Sequence, residues 1–164
     1  MGNSRQLFAK LTAMEPTAFK SQVRSILINL KSRGIGANNL GDLVLSQESK
    51  QKEKFLLRTA DTNTAKSTDL IFPRACAKLR FEVLFAKDKS AWSIVRYSFT
   101  FDRNGNWFRY DLDPDKAKDH EHPLAHLHVG RDEPRYPTAT ITNPLILFKF
   151  LEQQGLLDPG PPAT

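Results

Sequence analysis

The sequence predicts an α+β domain built on an antiparallel sheet of four to five strands, with a C-terminal helix packed on the sheet and an N-terminal helical unit. Apolar and polar residues alternate over residues 77–86 and 92–101, as they do in strands that bury one face. Asn104-Gly105, which follows the second run, favours a tight hairpin turn. Apolar residues recur at spacings of three and four within residues 17–30, which indicates an amphipathic helix.

The N-terminal region is expected to be helical over residues 4–33. Pro16 suits the first turn of a helix, and Gly34 is a common terminating residue. The apolar stripe of this helix comprises Phe19, Val23, Ile26, Leu27 and Leu30. Residues 34–54 are expected to be a linker, because turn-prone and charged stretches surround a short apolar run.

The rest of the chain is expected to form strands followed by one helix. The expected strands are residues 55–59, then a meander of 77–86, 92–101 and 107–112, and finally 124–129. Strict alternation in the second meander strand places Ile94 on the face opposite Tyr97. The last helix is expected over residues 143–154, with Asn143 as its N-cap. The domain organisation is therefore predicted as an arm and basic linker (1–54), an α+β core domain (55–157) and a disordered tail (158–164).

Composition favours a small domain of the cytoplasm. The chain has 164 residues and one cysteine, so no internal disulfide forms, and no apolar run is long enough to span a membrane. The net charge is +6, and residues 1–60 alone hold ten Lys and Arg against four Asp and Glu. Such a basic surface favours nucleic acid or an acidic protein, or it is an ordinary solvated surface. The candidate binding residues of the helix are Lys20, Arg24 and Lys31.

All four histidines lie between residues 120 and 128, and this clustering marks a candidate site. His126 and His128 are two apart in a predicted strand, so their side chains share a face. Two imidazoles on one surface can serve as general acid and general base, and they can also bind a metal with Asp113, Asp119 or Glu121. Structural histidines that pack or form hydrogen bonds are the alternative.

Two arginine segments complete the candidate site. Arg109 and Asp111 share a face of their strand, which suits either a site near the histidines or a structural ion pair. Arg135 lies between two prolines that stiffen the segment beginning at Arg131. A guanidinium held in this way can bind a phosphate or carboxylate, or the segment is a rigid connector whose arginine pairs with a neighbouring acid.

The order of these motifs resembles the TumE-type toxin family of bacterial toxin–antitoxin systems over residues 78–156. The resemblance follows the meander, Arg109-Tyr110-Asp111, His122-Pro123-x-x-His126-x-His128, Pro134-Arg135-x-Pro137 and the last helix. It implies a small bacterial protein encoded beside an antitoxin with DNA-binding capacity. The positions that it carries over are Arg109, Asp111, His126, His128 and Arg135, and the N-terminal region looks like an addition to the family pattern.

Three functions follow from these observations. The first is a TumE-like toxin or effector of a toxin–antitoxin or defence system that acts on nucleic acid, with RNA favoured. In it His126, His128, Arg109 and Asp111 carry the chemistry, Arg135 and Arg131 hold phosphate, and no metal or cofactor takes part. The second is a non-catalytic protein-binding or nucleic-acid-binding subunit of a larger complex, such as a defence complex. In it the histidines are structural, and an exposed apolar stripe of the N-terminal helix docks a partner such as an antitoxin. The third is a metal enzyme.

Overall fold

The computed structural model describes residues 14–48, 53–117, 122–130, 135–141 and 143–157. Two helices and eight strands form an α+β fold, which confirms the predicted class. The helices are α1 (Pro16–Ser32) and α2 (Leu145–Gln153). The strands are β1 (Leu43–Gln47), β2 (Lys54–Thr59), β3 (Leu70–Phe72), β4 (Ala77–Asp88), β5 (Ala91–Arg103), β6 (Asn106–Leu112), β7 (Ala125–Val129) and β8 (Arg135–Pro137).

All eight strands belong to one antiparallel sheet. Seven of them follow the order β1-β2-β4-β5-β6-β7-β8, while β3 pairs with the first residues of β4. The long β4–β5 hairpin forms the centre of the sheet, and the β5–β6 hairpin turns at Asn104-Gly105 as predicted. Both turn residues have positive φ, 51° and 83°, which is the conformation that a two-residue hairpin needs.

The number of strands predicted from the sequence is wrong, since the sheet has eight rather than four or five. The additional strands are β1, β3 and β8. Two have three residues each, and β1 lies inside the stretch expected to be a linker. Runs this short carry too few alternating positions to be recognised, and β8 ends in a proline. The division at residue 54 remains a prediction, although β1 shows that the predicted arm supplies one strand of the sheet.

The two faces of the sheet differ in character. We call the face that carries Phe81, Phe99 and Tyr110 the helix face, because Phe148 of α2 makes edge-on ring contacts with Phe81 and Phe99. Phe19 of α1 makes a similar contact with Phe85 on the same face. We call the opposite face, which carries Asp111 and its cross-strand neighbours, the polar face.

A β-bulge changes the predicted alternation of β5. Phe85 pairs with Ile94 while Leu84 pairs with Arg96, so Val95 is an extra residue in β5. Ile94 consequently lies on the helix face and is buried with Tyr97. The prediction that these two residues occupy opposite faces is therefore wrong.

The apolar stripe of α1 belongs to the core. Phe19, Val23, Leu27 and Leu30 are each at most 1% exposed and join the buried cluster of the helix face. The expectation that this stripe is exposed in the isolated chain is therefore wrong. A partner that contacts α1 has to use its outer side, where Arg24, Ile28 and Lys31 are exposed.

The last helix begins at Leu145, two residues later than predicted, and its N-cap is Pro144 rather than Asn143, although the Asn143 side chain accepts a hydrogen bond from the Leu145 amide. The expected disordered tail, residues 1–13 of the N-terminal region, His120 and Arg131 lie outside the described residues. Within the described part of the chain, neither helix has the length and apolar character needed to cross a membrane.

Candidate functional site

Strand register places the predicted site residues side by side on the polar face. Arg109 of β6 pairs with His128 of β7, and Asp111 pairs with His126. His128 in turn pairs with Arg135 of β8. Residues that are directly opposite in neighbouring strands have side chains on the same face. The sheet therefore brings together five residues that the sequence spreads over 27 positions.

The carboxylate of Asp111 is the centre of this cluster. Its Oδ2 accepts a hydrogen bond from Arg109 Nε at 2.7 Å, and it lies 3.3 Å from His128 Nε2 and 3.5 Å from His126 Nε2. Arg109 also contacts His128, with 2.9 Å between Nη2 and Nε2. One oxygen thus faces a guanidinium and two imidazoles.

The hydrogen-bond partners define the protonation of each imidazole. His126 Nδ1 lies 2.8 Å from the carbonyl oxygen of Pro123, and because a carbonyl only accepts, this nitrogen carries a proton. Arg109 only donates, so His128 Nε2 accepts from it and carries no proton. Both rings therefore present Nε2 to Asp111, and the Nε2 of His128 offers an electron pair.

The cluster is shielded from solvent on the histidine side and open on the arginine side. His126 and His128 are each 1% exposed, whereas the Arg109 side chain is 34% exposed. Asp111 Oδ1 is buried and has no hydrogen-bond partner among the described residues. A buried carboxylate oxygen without a partner is costly, so this atom is a natural point of contact for a ligand or ion.

His122, which the sequence placed in the approach to the strand, lies against the cluster. Its ring centroid is 4.7 Å from that of His126. Desolvation lowers the pKa of His122, and the nearby charges of His126 and Arg135 lower it further. Since these causes disfavour the imidazolium, they favour the neutral form of His122.

A cavity of about 230 Å³ opens on the polar face beside the cluster. Arg109 and Asp111 line it together with Arg96 and Lys116. Acidic partners accompany the two cations, since Arg96 lies 3.7 Å from Glu82 and Lys116 lies 3.3 Å from Asp113. The cavity is therefore a polar, charge-paired cleft rather than an apolar ligand pocket.

Basic side chains on the polar face follow one row across the sheet. The cross-strand pairs place Arg80, Thr100, Arg109, His128 and Arg135 in line from β4 to β8. Arg80 is paired with Asp69 at 2.8 Å and remains half exposed. Three arginines thus occupy alternate strands of the row that contains His128.

Lys20, Arg24 and Lys31 of α1 do not join this site. They belong to the helix that packs on the helix face, whereas the histidines lie on the polar face. The sheet therefore separates the basic residues predicted for α1 from those around His128.

Several contributors to the site went unrecognised in the sequence. Arg96 and Lys116 line the cavity, and the Arg109 guanidinium carbon lies 5.8 Å from the ring centre of Trp107. The Pro123 carbonyl that orients His126 gave no sequence signal beyond its position three residues before the histidine. Arg96 had one usable signal, since alternation placed it among the polar positions of its strand.

The fold and site define a class of protein: an antiparallel α+β sheet with a buried histidine pair and an arginine grouped around one aspartate. A family model described as Toxin TumE matches residues 52–154. The chain therefore belongs to the TumE toxin family, which confirms the resemblance seen in the sequence. The match includes every strand from β2 to β8, while α1 and β1 precede it. No curated protein and no solved structure matches the chain.

Membership in this family indicates a toxin of a toxin–antitoxin system, and with it an antitoxin as a possible partner.

Proposed function

We propose that this chain is a TumE-family toxin that cleaves RNA in the cytoplasm at the Asp111 cluster. The observation that carries the proposal is the convergence of two imidazole Nε2 atoms and one guanidinium on a single carboxylate oxygen. Paired imidazoles supply a general base and a general acid near neutral pH. A guanidinium between them supplies a positive charge for a phosphate.

The roles of the two histidines follow from their hydrogen bonds. His128 Nε2 carries an electron pair, so His128 is the general base. His126 donates from Nδ1 to the Pro123 carbonyl, so its imidazolium form, which carries a second proton on Nε2, acts as the general acid. Asp111 stabilises the imidazolium form of either ring, and Arg109 moves from His128 to the phosphate when substrate binds.

The proposed step is a transesterification within RNA. His128 takes the proton of a 2′-hydroxyl group, and the 2′ oxygen bonds to the adjacent phosphorus. The bond from phosphorus to the 5′ oxygen breaks, and His126 gives its proton to that oxygen. The products are a 2′,3′-cyclic phosphate and a 5′-hydroxyl end, with one proton gained by His128 and one lost by His126.

The row of arginines supports a nucleic-acid substrate. Neighbouring strands lie about 4.8 Å apart, so the Cα atoms of arginines in line on alternate strands lie about 10 Å apart. Arg80 and Arg135 thus flank Arg109 along one line. Such a line suits an extended chain of phosphates, which basic side chains bind without regard to sequence.

Replacement of each histidine by glutamine tests the proposed function. H126Q and H128Q should each reduce RNA cleavage and growth arrest on induction by at least about 100-fold, because general acid–base catalysis contributes about that much. H122Q is the matched control, since His122 contacts His126 but does not reach Asp111. Cleavage that persists in a folded H126Q/H128Q double variant would disprove the role of the pair. Growth arrest that depends on both histidines while RNA stays intact would disprove the substrate.

The second candidate is a non-catalytic binding subunit, and the near-complete burial of His126 and His128 favours it. In that case the histidines act as structural residues and the α1 region binds a partner. We propose one docking surface for either function, namely the groove of about 520 Å³ between α1 and α2. Ser25 and Ile26 line it from α1, and Ile146 and Lys149 line it from α2.

Charge indicates which partner fits this groove. Lys149 is the charged residue among those that line the groove, whereas Lys20, Arg24 and Lys31 of α1 do not line it. Ile146, 55% exposed, offers an apolar contact. We propose that an acidic amphipathic helix of the antitoxin occupies the groove.

Binding of the antitoxin encoded beside the toxin gene tests the groove. I146D should weaken binding by at least about 10-fold, whereas I28D should not, because Ile28 is similarly exposed but does not line the groove. Equal binding by both variants would place the antitoxin elsewhere.

A further inference from the structure

The Asp111 cluster also has the composition and spacing of a metal site. Asp111, His126 and His128 each offer one ligand atom, and these three atoms lie within 4.8 Å of one another. Two imidazoles and one carboxylate are a ligand set that zinc and other divalent transition metals bind. We infer that these three residues form a divalent transition-metal site, best suited to Zn²⁺, in which the ion competes with Arg109.

The distances around Asp111 agree with tetrahedral zinc. Ligand atoms that lie about 2.0–2.2 Å from zinc at tetrahedral angles are about 3.3–3.5 Å from each other. Asp111 Oδ2 lies 3.3 Å from His128 Nε2 and 3.5 Å from His126 Nε2. Two of the three distances between ligand atoms thus have the required length already. A small rotation of the imidazole rings brings the remaining pair, the two Nε2 atoms, closer together.

The hydrogen bonds of the cluster prepare the rings for a metal. Histidine ligands usually donate the other ring nitrogen to a carbonyl or carboxylate, which fixes their orientation and tautomer. His126 does this through Nδ1, which donates to Pro123, so its Nε2 points towards Asp111. The buried Oδ1 of Asp111 has no hydrogen-bond partner among the described residues and is available to a metal-bound water.

Arg109 occupies the position that the ion would take. Its guanidinium contacts both Asp111 Oδ2 and His128 Nε2, and so it supplies one positive charge where the metal would supply two. The Arg109 side chain is 34% exposed and lines the adjacent cavity, so it can move aside without disturbing the core. Binding of the ion therefore displaces Arg109 into the cleft.

Titration of untagged protein with Zn²⁺ tests the site, with every variant carrying C76S, because Cys76 is free and exposed and a thiolate is a competing zinc ligand. The parent should bind one ion, and H126Q, H128Q and D111N should each lose at least about 10-fold in affinity. R109Q should bind at least about 10-fold more tightly, because the competing cation is gone. R96Q is the matched control, since Arg96 lines the same cavity but contacts Glu82 instead of Asp111.

Co²⁺ gives an independent readout. The parent and R109Q proteins should show the intense visible absorption of tetrahedral Co²⁺, and H128Q should not. Absence of both stoichiometric zinc binding and this absorption from folded R109Q would overturn the metal site, even if the ligand variants were unstable. Equal gains in R109Q and R96Q would overturn the competition with Arg109.

One consequence rests on the proposed function. If the histidines cleave RNA as free imidazoles, Zn²⁺ should inhibit cleavage by at least about 10-fold and EDTA should reverse the inhibition. The two proposals fail separately, because zinc binding is measured without RNA and cleavage is measured in EDTA. Zinc-dependent cleavage would support the site but replace the free-imidazole mechanism with metal chemistry.

Discussion

The two faces of the sheet bury their residues for different reasons. On the helix face, Phe81, Phe99 and Phe148 contact one another through apolar rings, and their burial stabilises the fold in any protonation state. On the polar face, His126 and His128 are equally buried, but their burial is favourable only while polar partners such as the Pro123 carbonyl and Arg109 satisfy them. The first face is thus a stable scaffold, whereas the second is a set of groups whose balance a ligand, a proton or an ion can change.

The largest expected loss of stability comes from the helix face. F148A removes the ring that contacts both Phe81 and Phe99, and the resulting cavity should lower the free energy of unfolding by about 3–5 kcal/mol. F150A is the matched control, because Phe150 lies two residues further along α2 and is 46% exposed. Its expected effect is within about 0.5 kcal/mol. Urea denaturation followed by circular dichroism measures both, and similar losses would show that α2 is not anchored through Phe148.

The polar face should respond to loss of its central charge. D111N weakens the contacts to Arg109, His126 and His128 together, and we expect a loss of about 1–3 kcal/mol in the free energy of unfolding. D113N is the control, since Asp113 pairs with Lys116, whose side chain is 72% exposed. An exposed partner makes that pair worth about 0–1 kcal/mol. If D111N and D113N had the same free energy of unfolding, the contacts of Asp111 would contribute no net stability to the fold.

The β5–β6 turn affects both faces of the sheet, because it sets the register that aligns Asp111 with its neighbours. G105A should cost about 1–2 kcal/mol, since Gly105 has a φ of 83° that residues with a Cβ rarely adopt. The added methyl would meet no atom within 4 Å, so the cost is conformational. G41A, where a Cβ also meets nothing within 4 Å and φ is not positive, should be close to neutral. Equal melting temperatures for the two variants would argue against the tight turn.

The smallest effect concerns a polar contact within the helix face. The Tyr97 hydroxyl donates to the carbonyl oxygen of Ile141 at 3.0 Å, so Y97F should lose about 0.5–1.5 kcal/mol. Desolvation raises the pKa of Tyr97 far above the usual value for tyrosine.

Because the pKa of Tyr97 is raised in the folded state, the unfolded chain loses this proton first. The contribution of Tyr97 to the free energy of unfolding should therefore be fully present below a pH of about 10, the ordinary tyrosine pKa, and should fall as the pH rises above that value. Urea midpoints at pH 9 and pH 11 should differ less for Y97F than for the parent protein. An unchanged pH difference would assign the alkaline loss to other groups.

Much of the fold followed from local patterns. The alternation in β4 and the stripe of α1 each extend over many residues, and Asn104-Gly105 is a turn signal by itself, so each element was identifiable. Strands β1, β3 and β8 were not, because three to five residues fit several conformations and their partners decide among them. The bulge at Val95 shows the same limit. The unpaired residue reverses the face of Ile94, and the residue types in β5 give no sign of it.

The candidate site divides in the same way. The sequence by itself determined that His126 and His128 share a face, that Arg109 and Asp111 share a face, and that the chain resembles TumE toxins, because a strand period of two and an ordered set of motifs are local properties. The tertiary structure decided that the two pairs meet, that Arg109 lies between the carboxylate and His128, and that the basic residues of α1 lie across the sheet. These facts depend on strand register and helix packing, which arise from contacts between residues far apart in the chain.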